Sequence, residues 1–323
     1  MPKMMNNEHV IVTGFAGFIG MHLCRSLLQD GHTVHGIDNI NTYYEKSLKI
    51  DRIKKIQDIS NFSYDIVDLK NLDSLNEIFE KFKPDKVVNL AAQAGVQFSI
   101  VDPFSYIESN IKGFMNILEC CKLHEVQGLI YASSSSVYGE NKKVPFSEND
   151  SVDNPISIYA ATKKSNELMA NVYNNLYKLN TTGLRFFTVY GPWGRPDMAY
   201  FSFTKKILNN ELIEIYDNGK VERDFTYIKD IIKGIRSSID KNFQNEIFNL
   251  GNSKREKVID LIKIIEQRLG KKAKIKLIPI KPGDVKVTNA NIKKSKKMLG
   301  FNPKVNIDEG INRFIDWYLE YYI

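Results

Sequence analysis

Residues 10–20 read Val-Ile-Val-Thr-Gly-Phe-Ala-Gly-Phe-Ile-Gly, and this stretch decides the fold. Its first four residues are an apolar run typical of a buried strand, and the apolar spacing over residues 17–29 is typical of a helix. Gly14, Gly17 and Gly20 fall in the turn between them. Glycine lets the backbone approach a bound pyrophosphate, and the start of a helix attracts its negative charge. The stretch therefore predicts a nucleotide-binding strand–turn–helix unit.

Strand and helix signals alternate along the first half of the chain, which predicts a Rossmann-type α/β fold with a doubly wound parallel sheet. Further predicted strands cover 33–37, 61–67, 86–91, 128–132 and 182–187, and further helices cover 43–57, 71–82, 104–123 and 157–178. Shorter helices are predicted at 201–209, 228–240, 256–269 and 291–299. We therefore expect a first domain over 1–187 with a return segment near 225–250, and a smaller α/β substrate-binding cap over 188–323.

The bulk composition excludes several classes of protein. The chain has 323 residues, 43% of them hydrophobic, and a formal net charge of +7. Its lysines are scattered, and no basic stripe with interleaved aromatic residues suggests a nucleic-acid partner. A mildly basic chain suits an anionic substrate. No stretch approaches the ~20 consecutive apolar residues of a membrane span.

Cys24, Cys120 and Cys121 have neither metal-ligand spacing nor the pattern of a disulfide framework. We interpret them as core residues of a protein from the reducing cytoplasm, and we expect no metal site.

A carboxylate at the end of the second predicted strand indicates which dinucleotide binds. Asp38 lies 24 residues after Gly14, where a carboxylate accepts hydrogen bonds from the adenosine ribose and repels a 2′-phosphate. The following Asn39-Ile40-Asn41 offers no arginine for that phosphate, so NAD is favoured over NADP. Asp65 and Ile66 end the third strand, where they could meet the adenine amino group.

The remaining candidate cofactor residues lie at strand ends or on neighbouring helices. Small side chains after the fourth strand would leave space for the cofactor, although Leu90 could equally be a core residue. These candidates are Phe18, Ile19, Leu90, Ala91, Ala92, Asn110 and Phe186.

The run Tyr159-Ala-Ala-Thr-Lys163 carries the candidate chemistry, because residues four apart share a helix face. A phenol with a pKa of ~10 is a poor base at pH 7. A nearby ammonium, here Lys163, together with a positive nicotinamide would stabilise the phenolate. Ser134 can donate to the same sugar oxygen. Tyr159 would then take the hydroxyl proton while NAD takes the carbon-bound hydride.

Together these motifs resemble those of the extended short-chain dehydrogenase/reductases, and within them the nucleotide-sugar epimerases. Longer matches resemble the UDP-glucuronate 4-epimerases in particular. The general motifs are Gly14–Gly20, Ala132–Gly139 and Tyr159–Lys163. The longer matches are Asn89–Gly95, Arg185–Met198 and Arg223–Tyr227.

The resemblance implies a redox-neutral reaction that converts UDP-glucuronate to UDP-galacturonate. The sugar is oxidised at C4, the resulting 4-keto intermediate rotates about the diphosphate, and hydride returns to its other face. NAD would stay bound throughout. Arg223 would grip the diphosphate, although a surface ion pair with Asp224 is the alternative. Asp284 falls where this family contacts the nucleotide half. The resemblance also implies a homodimer built on two long helices, whose apolar residues could otherwise all be internal core.

Four further residues bear on the sugar that is bound. Ser135 and Ser136 stand where uronate decarboxylases carry a Glu and 4,6-dehydratases an Asp-Glu pair, so epimerisation is favoured. Arg195 matches the arginine that binds the uronate carboxylate, unless it is a loop residue held by Asp197. Thr188 replaces an Asn of the glucose/galactose epimerases.

Two other functions stay open at this point. A 4-epimerase of a neutral or N-acetylated UDP-hexose would share every motif of the cofactor site. An NAD-sensing binding module on a dehydrogenase fold is a rival from another class. Such modules generally lose the Tyr–Lys pair that this chain keeps.

Overall fold

A computed structural model of the protein describes residues 7–279 and 285–323. Seven strands form its main sheet, and strands are numbered in chain order through the whole molecule. They are β1 (His9–Thr13), β2 (Thr33–Asp38), β3 (Phe62–Ile66), β4 (Lys86–Asn89), β5 (Gly128–Ser134), β6 (Thr181–Phe186) and β11 (Asn245–Leu250). Their order is β11-β6-β5-β4-β1-β2-β3, and every neighbouring pair is parallel. The predicted parallel sheet is confirmed.

Six shorter strands, all after residue 187, form three two-stranded pairs. They are β7 (Thr188–Tyr190), β8 (Leu212–Ile215), β9 (Glu222–Arg223), β10 (Phe225–Tyr227), β12 (Glu256–Lys257) and β13 (Lys274–Leu277). β7 pairs with β10 and β8 with β13 in parallel, whereas β9 and β12 are antiparallel. The sequence did not predict them, because two to four residues are too few to show an alternating pattern.

Helices surround the sheet and fill the second half of the chain. They are α1 (Phe18–Gln29), α2 (Lys46–Lys54), α3 (Leu72–Phe82), α4 (Phe98–Val101), α5 (Pro103–Tyr106), α6 (Gly113–Leu123), α7 (Ile158–Tyr177), α8 (Ala199–Leu208), α9 (Ile228–Lys241), α10 (Val258–Leu269), α11 (Lys293–Leu299) and α12 (Ile307–Tyr322). No predicted helix covers α12. Among the described residues, no helix is both long and apolar enough to cross a membrane.

The single helix predicted over 104–123 is wrong in detail. A π-helical segment, Ile107–Lys112, separates α5 from α6. A π turn has a wider backbone repeat than an α turn, and the apolar pattern does not reveal it. The segment brings the buried Asn110 towards the end of β4, where its side chain bonds to the main chain of Gln93.

The topology determines where a ligand can bind. β1 lies between β2 and β4, so the strand order reverses at β1, and doubly wound sheets bind ligands at the carboxyl ends of strands beside such a reversal. β11 comes from the second half of the chain yet pairs with β6 in the main sheet. The division into domains at residue 187 stays a prediction.

Candidate active site

A cleft of about 1100 Å³ opens at the carboxyl ends of the central strands. Its walls come from both halves of the chain, because the glycine turn and the ends of β4 and β5 face α8 and β8 across it. Most of the predicted site residues line this single cleft. They are Gly14, Gly17, Phe18, Ile19, Gly20, Asp38, Asn39, Asn41, Leu90, Ala91, Ala92, Ser134, Ser135, Ser136, Tyr159, Phe186, Thr188, Arg195 and Arg223.

The glycine turn is packed too closely for any side chain. Gly14 has a φ of +73°, and its N–H donates to the carbonyl of Ile37 at 2.7 Å. A Cβ on Gly14 would lie 2.7 Å from the backbone N of Ala91, and one on Gly20 would lie 2.1 Å from the carbonyl O of Gly14. The turn and the start of α1 therefore present bare backbone to the cleft, which fits a dinucleotide pyrophosphate.

Asp38 sits at the edge of this turn with its carboxylate held in place. Its Oδ2 accepts from the N–H of Ala16 at 3.2 Å, and its Oδ1 accepts from the N–H of Ile40 at 2.8 Å. Burial raises the pKa of this carboxyl, and the backbone bond from Ile40 and the charge of Lys49 lower it. The carboxylate is thus fixed at the end of β2, and its contact with an adenosine ribose stays a prediction.

Two buried cations on α2 were missed in the sequence. Arg52 uses all five N–H donors on neutral acceptors, namely the carbonyls of Ala16, Trp193 and Gly194 and the hydroxyl of Tyr44. It therefore ties the glycine turn to the loop that leads into Arg195. No spacing in the sequence indicated that these two segments meet.

The second cation, Lys49, lines the cleft, and its Nζ donates to the carbonyl and the side chain of Asn41 at 3.0 and 2.7 Å. Burial lowers the pKa of Lys49, partly offset by the charge of Asp38. Lys49 thus fixes the loop after β2.

The adenine contacts of Asp65 and Ile66 stay a prediction. Asp65 is exposed and pairs with His35 at 3.1 Å, and Ile66 is half exposed and lies opposite Asp38 in the sheet. The chain reaches the cleft only after β3 ends, so Val67, Asp68 and Leu69 line it instead. The Oδ2 of Asp68 accepts from the amide of Asn39 at 3.0 Å, so these two neighbours close that end of the cleft.

Asn110 does not line the cleft, which corrects its assignment to the cofactor. Its Oδ1 accepts from the N–H of Gln93 at 2.8 Å, and its Nδ2 donates to the carbonyl of Gln93 and to the hydroxyl of Thr162. The hydroxyl of Thr162 in turn donates to the carbonyl of Tyr159 at 2.8 Å. Asn110 thus joins the segment after β4 to the start of α7, and it helps to position Tyr159 without lining the cleft.

Tyr159 is the second residue of α7, which starts where the Ser157 hydroxyl accepts from the N–H of Ala160 at 3.1 Å. Burial raises the pKa of Tyr159, while a hydrogen bond with Ser134 and the positive charge of Arg195 lower it. The ring of Tyr106 meets the Tyr159 ring edge-on at 6.0 Å. The phenol is therefore held rigidly beside the serine at the end of β5.

Lys163 lies behind the wall of the cleft. It is almost fully buried, and its Nζ donates to the carbonyl of Ala132 at 2.8 Å. Burial lowers its pKa to about 8. In this structure Arg195, not Lys163, supplies the cation that lowers the pKa of Tyr159. The roles of Lys163 towards Tyr159 and the nicotinamide ribose stay predictions.

The sugar end of the cleft carries hydroxyls and one guanidinium. The hydroxyl and the N–H of Ser136 both donate to the Oγ of Ser134, at 2.9 and 3.2 Å, and the Ser134 hydroxyl in turn bonds to Tyr159. Arg195 pairs with Asp197 through two hydrogen bonds of 3.0 and 2.5 Å. The pairing that the sequence left as an alternative therefore exists, yet both partners line the cleft.

The alternative ion pair between Arg223 and Asp224 is wrong. Arg223 lines the cleft, and its Nη1 donates to the carbonyls of Glu222 and Lys286 at 3.0 and 3.3 Å. Asp224 is fully buried, and among the described residues it accepts only from backbone N–H groups and a hydroxyl. Asp284, predicted to contact the nucleotide half, lies outside the described residues.

Replacing Asp224 by Asn should lower the free energy of unfolding by about 2–4 kcal/mol. Its Oδ2 accepts from the N–H groups of Ser253 and Ala290, both at 2.9 Å, while Oδ1 accepts from Asn252 and Thr226. In asparagine, an NH₂ group replaces one of these two oxygens. Whichever oxygen it replaces, the NH₂ group would face hydrogen-bond donors and find no acceptor. Urea unfolding measures the effect.

The matched control for that change is Asp240→Asn at an exposed position near the end of α9. It should change stability by less than ~0.5 kcal/mol. Equal stability of the two variants would contradict the role assigned to Asp224.

Several polar residues of the cleft carry no sequence motif and were missed. A helical repeat on α8 could have indicated Lys206, and nothing local pointed to the others. They are Lys49, Asp68, Lys206, Glu214 and Tyr216. Within the described ranges no group of three or more potential metal ligands occurs.

Comparison with known proteins places this architecture in a family. A family model described as GDP-mannose 4,6-dehydratase matches residues 11–314. This chain belongs to the GDP-mannose 4,6-dehydratase family. The resemblance to the extended short-chain dehydrogenase/reductases predicted from the motifs is thereby confirmed.

Within this family the chain is similar to several named proteins, epimerases among them. Protein CapI of Staphylococcus aureus is 50% identical, with 97% of this chain and 99% of that protein covered. UDP-glucuronate 4-epimerase 4 of Arabidopsis thaliana is 46% identical, with 98% of this chain and 76% of that protein covered. The UDP-glucuronic acid 4-epimerase of Bacillus cereus, solved with UDP-glucuronic acid and NAD, has a TM-score of 0.92 at 35% identity, with 97% of this chain and 100% of that chain covered. The predicted closeness to this epimerase branch is confirmed.

Proposed function

We propose that this chain is a UDP-glucuronate 4-epimerase that retains NAD and interconverts UDP-glucuronate and UDP-galacturonate. The observation that carries the proposal is that one cleft contains the glycine turn, the Tyr159 phenol, the Ser134 hydroxyl and the Arg195 guanidinium. These supply a dinucleotide seat, a base, a hydroxyl donor and a cation for a sugar carboxylate. The similarity to UDP-glucuronate 4-epimerases in sequence and structure supports the same substrate.

The chain's own residues move the proton. Tyr159 takes the proton of the C4 hydroxyl, Ser134 donates to the same oxygen, and Arg195 stabilises the phenolate. When bound, NAD supplies a reversible acceptor for the C4 hydride. Arg223 holds the diphosphate, so the 4-keto sugar can turn about it and present its other face. Tyr159 then returns the proton.

The hydroxyls beside Ser134 favour epimerisation over decarboxylation or dehydration. The 4-keto derivative of a glucuronate is a β-keto acid, which tends to lose CO₂. Ser135 and Ser136 line the cleft where related decarboxylases and dehydratases carry carboxyl groups. A hydroxyl can bond to the uronate carboxylate without acting as a strong acid, and so does not assist either elimination.

The test is to incubate the purified protein with UDP-glucuronate and follow the sugar protons by NMR. We expect inversion at C4 without added NAD and without release of CO₂. Conversion of UDP-glucose but not of UDP-glucuronate would select the neutral-hexose epimerase instead. No turnover of any nucleotide sugar would favour a binding module.

We further propose that two copies pair through an apolar face on α4, α5 and α7. Val101 and Phe104 are 78% and 79% exposed, and Leu168, Val172 and Leu176 add exposed side chains from α7. A contiguous face of this kind marks an interaction site, and a second copy would cover it symmetrically.

Replacing Phe104 by Asp should convert the proposed dimer to a monomer, because pairing would bury a carboxylate without a partner. Light scattering coupled to gel filtration measures the mass. Leu277→Asp on β13, at a half-exposed leucine outside this face, should leave the dimer intact. A monomeric unsubstituted protein would contradict the proposal.

We assign the reaction to the cytoplasm, where the free, buried thiols of Cys24, Cys120 and Cys121 match a reducing environment. An activated uronate is consumed by glycosyl transfer, so its use would be polysaccharide biosynthesis.

A further inference from the structure

One edge of the Arg195 guanidinium is already occupied. Its Nε donates to Oδ1 of Asp197 at 3.0 Å, and its Nη2 donates to Oδ2 at 2.5 Å. Two parallel bonds of this kind fix the plane of the guanidinium as well as its position. Asp197 therefore holds Arg195 in one orientation.

Tyr43 holds this pair from the other half of the chain. Its hydroxyl donates to Oδ2 of Asp197 at 3.3 Å, and its ring centre lies 5.9 Å from the Cζ of Arg195. The Tyr43 ring packs in turn on Phe98, with the ring centres 5.0 Å apart. The Arg195–Asp197 pair is thus fixed on two sides.

The other terminal nitrogen of Arg195 has no partner among the described residues, and Gly95 lies beside the guanidinium. Nη1 makes no hydrogen bond within residues 7–279 and 285–323. A Cβ on Gly95 would lie 2.7 Å from the Tyr43 hydroxyl, 3.7 Å from the Tyr106 hydroxyl and 3.9 Å from Nη2 of Arg195. The ring of Tyr106, whose hydroxyl shares this space, lies 6.0 Å from the Tyr159 ring, so the guanidinium is near the reacting end of the cleft.

We propose that Asp197, supported by Tyr43, is a positioning residue that aims the free Nη1–Nη2 edge of Arg195 at the carboxylate of a uronate. It thereby sets the preference for acidic over neutral sugars. This inference rests on the proposed function. A guanidinium whose geometry is set in advance loses less side-chain freedom on binding, and this benefits only a ligand that carries the carboxylate.

The test measures binding to the NAD-containing protein in a Tyr159→Phe background, so that no turnover occurs. Calorimetry gives the Kd of UDP-glucuronate and of UDP-glucose. Adding Asp197→Ala should raise the Kd of UDP-glucuronate about 10- to 30-fold and leave that of UDP-glucose within about twofold. Asp197→Asn keeps one acceptor and should restore part of the affinity. Tyr43→Phe should raise the Kd of UDP-glucuronate about two- to fivefold and leave that of UDP-glucose unchanged.

The matched control is Asp153→Ala, at an exposed carboxylate in the loop before α7. It should change neither Kd. Equal weakening of both ligands, unchanged uronate binding, or tighter uronate binding in Asp197→Ala would each overturn the inference. If Asp197→Ala does not fold, Asp197→Asn and Tyr43→Phe provide the test. In each, the Kd of UDP-glucuronate should rise relative to the Kd of UDP-glucose. Failure of the unsubstituted enzyme to epimerise UDP-glucuronate would instead contradict the proposed function.

Discussion

Replacing Tyr159 by Phe should lower kcat by about 10³-fold or more, at the upper end of what a positioned acid–base group contributes. The cleft offers the C4 hydroxyl no equivalent proton acceptor. Ser134 is a weaker base than a phenolate, and Lys163 lies behind the wall with its Nζ on the Ala132 carbonyl. Epimerisation measured by NMR would therefore fall to the limit of detection.

The cofactor should stay bound in this variant, because the glycine turn and Asp38 are untouched. NAD released on denaturation, measured per protein chain, checks this. Tyr106→Phe is the matched control, since Tyr106 is buried, packs on the same ring, and donates only to the carbonyls of Ala94 and Gly95. It should keep most of the activity. Turnover within tenfold of the original in Tyr159→Phe would remove Tyr159 from its role.

The second large effect is expected from Gly20→Ala, which should abolish NAD retention. The new Cβ would lie 2.1 Å from the carbonyl O of Gly14 and 2.8 Å from Cα of Phe15. Both atoms belong to the backbone of the turn, so neither can rotate away. The start of α1 has to move, and the N–H groups that face the pyrophosphate move with it.

Bound NAD per chain and the rise in melting temperature on adding NAD measure this loss. Gly31→Ala is the control just beyond the other end of α1. Its φ of +85° makes alanine strained, by roughly 1–2 kcal/mol, but nothing lies within 4 Å of the new Cβ. It should be less stable and still retain NAD. A Gly20→Ala protein that keeps full NAD content would contradict the assigned cofactor turn.

Some parts of the site were predictable because their signals are local. Gly14, Gly17 and Gly20 follow one strand and open one helix, so their spacing alone places them at a backbone turn. Tyr159 and Lys163 are four residues apart on α7, and the helix repeat puts them on one face. The parallel sheet follows from the alternation of strand and helix signals.

Other predictions went wrong because a short pattern does not state which way a side chain points. The single helix expected over 104–123 is interrupted by the π-helical segment Ile107–Lys112. Asn110 was expected to touch the cofactor, yet the π turn directs it to the main chain of Gln93.

The sequence by itself predicted the parallel architecture, the glycine turn and the Tyr159–Lys163 pair, because each signal comes from residues close together in the chain. Only the tertiary structure decided how the charged groups are paired. Arg52 bonds to Gly194, which is 142 positions away, and Tyr43 to Asp197, which is 154 positions away. The direction of a buried charge depends on the partners that folding brings to it, and no spacing along the chain carries that information.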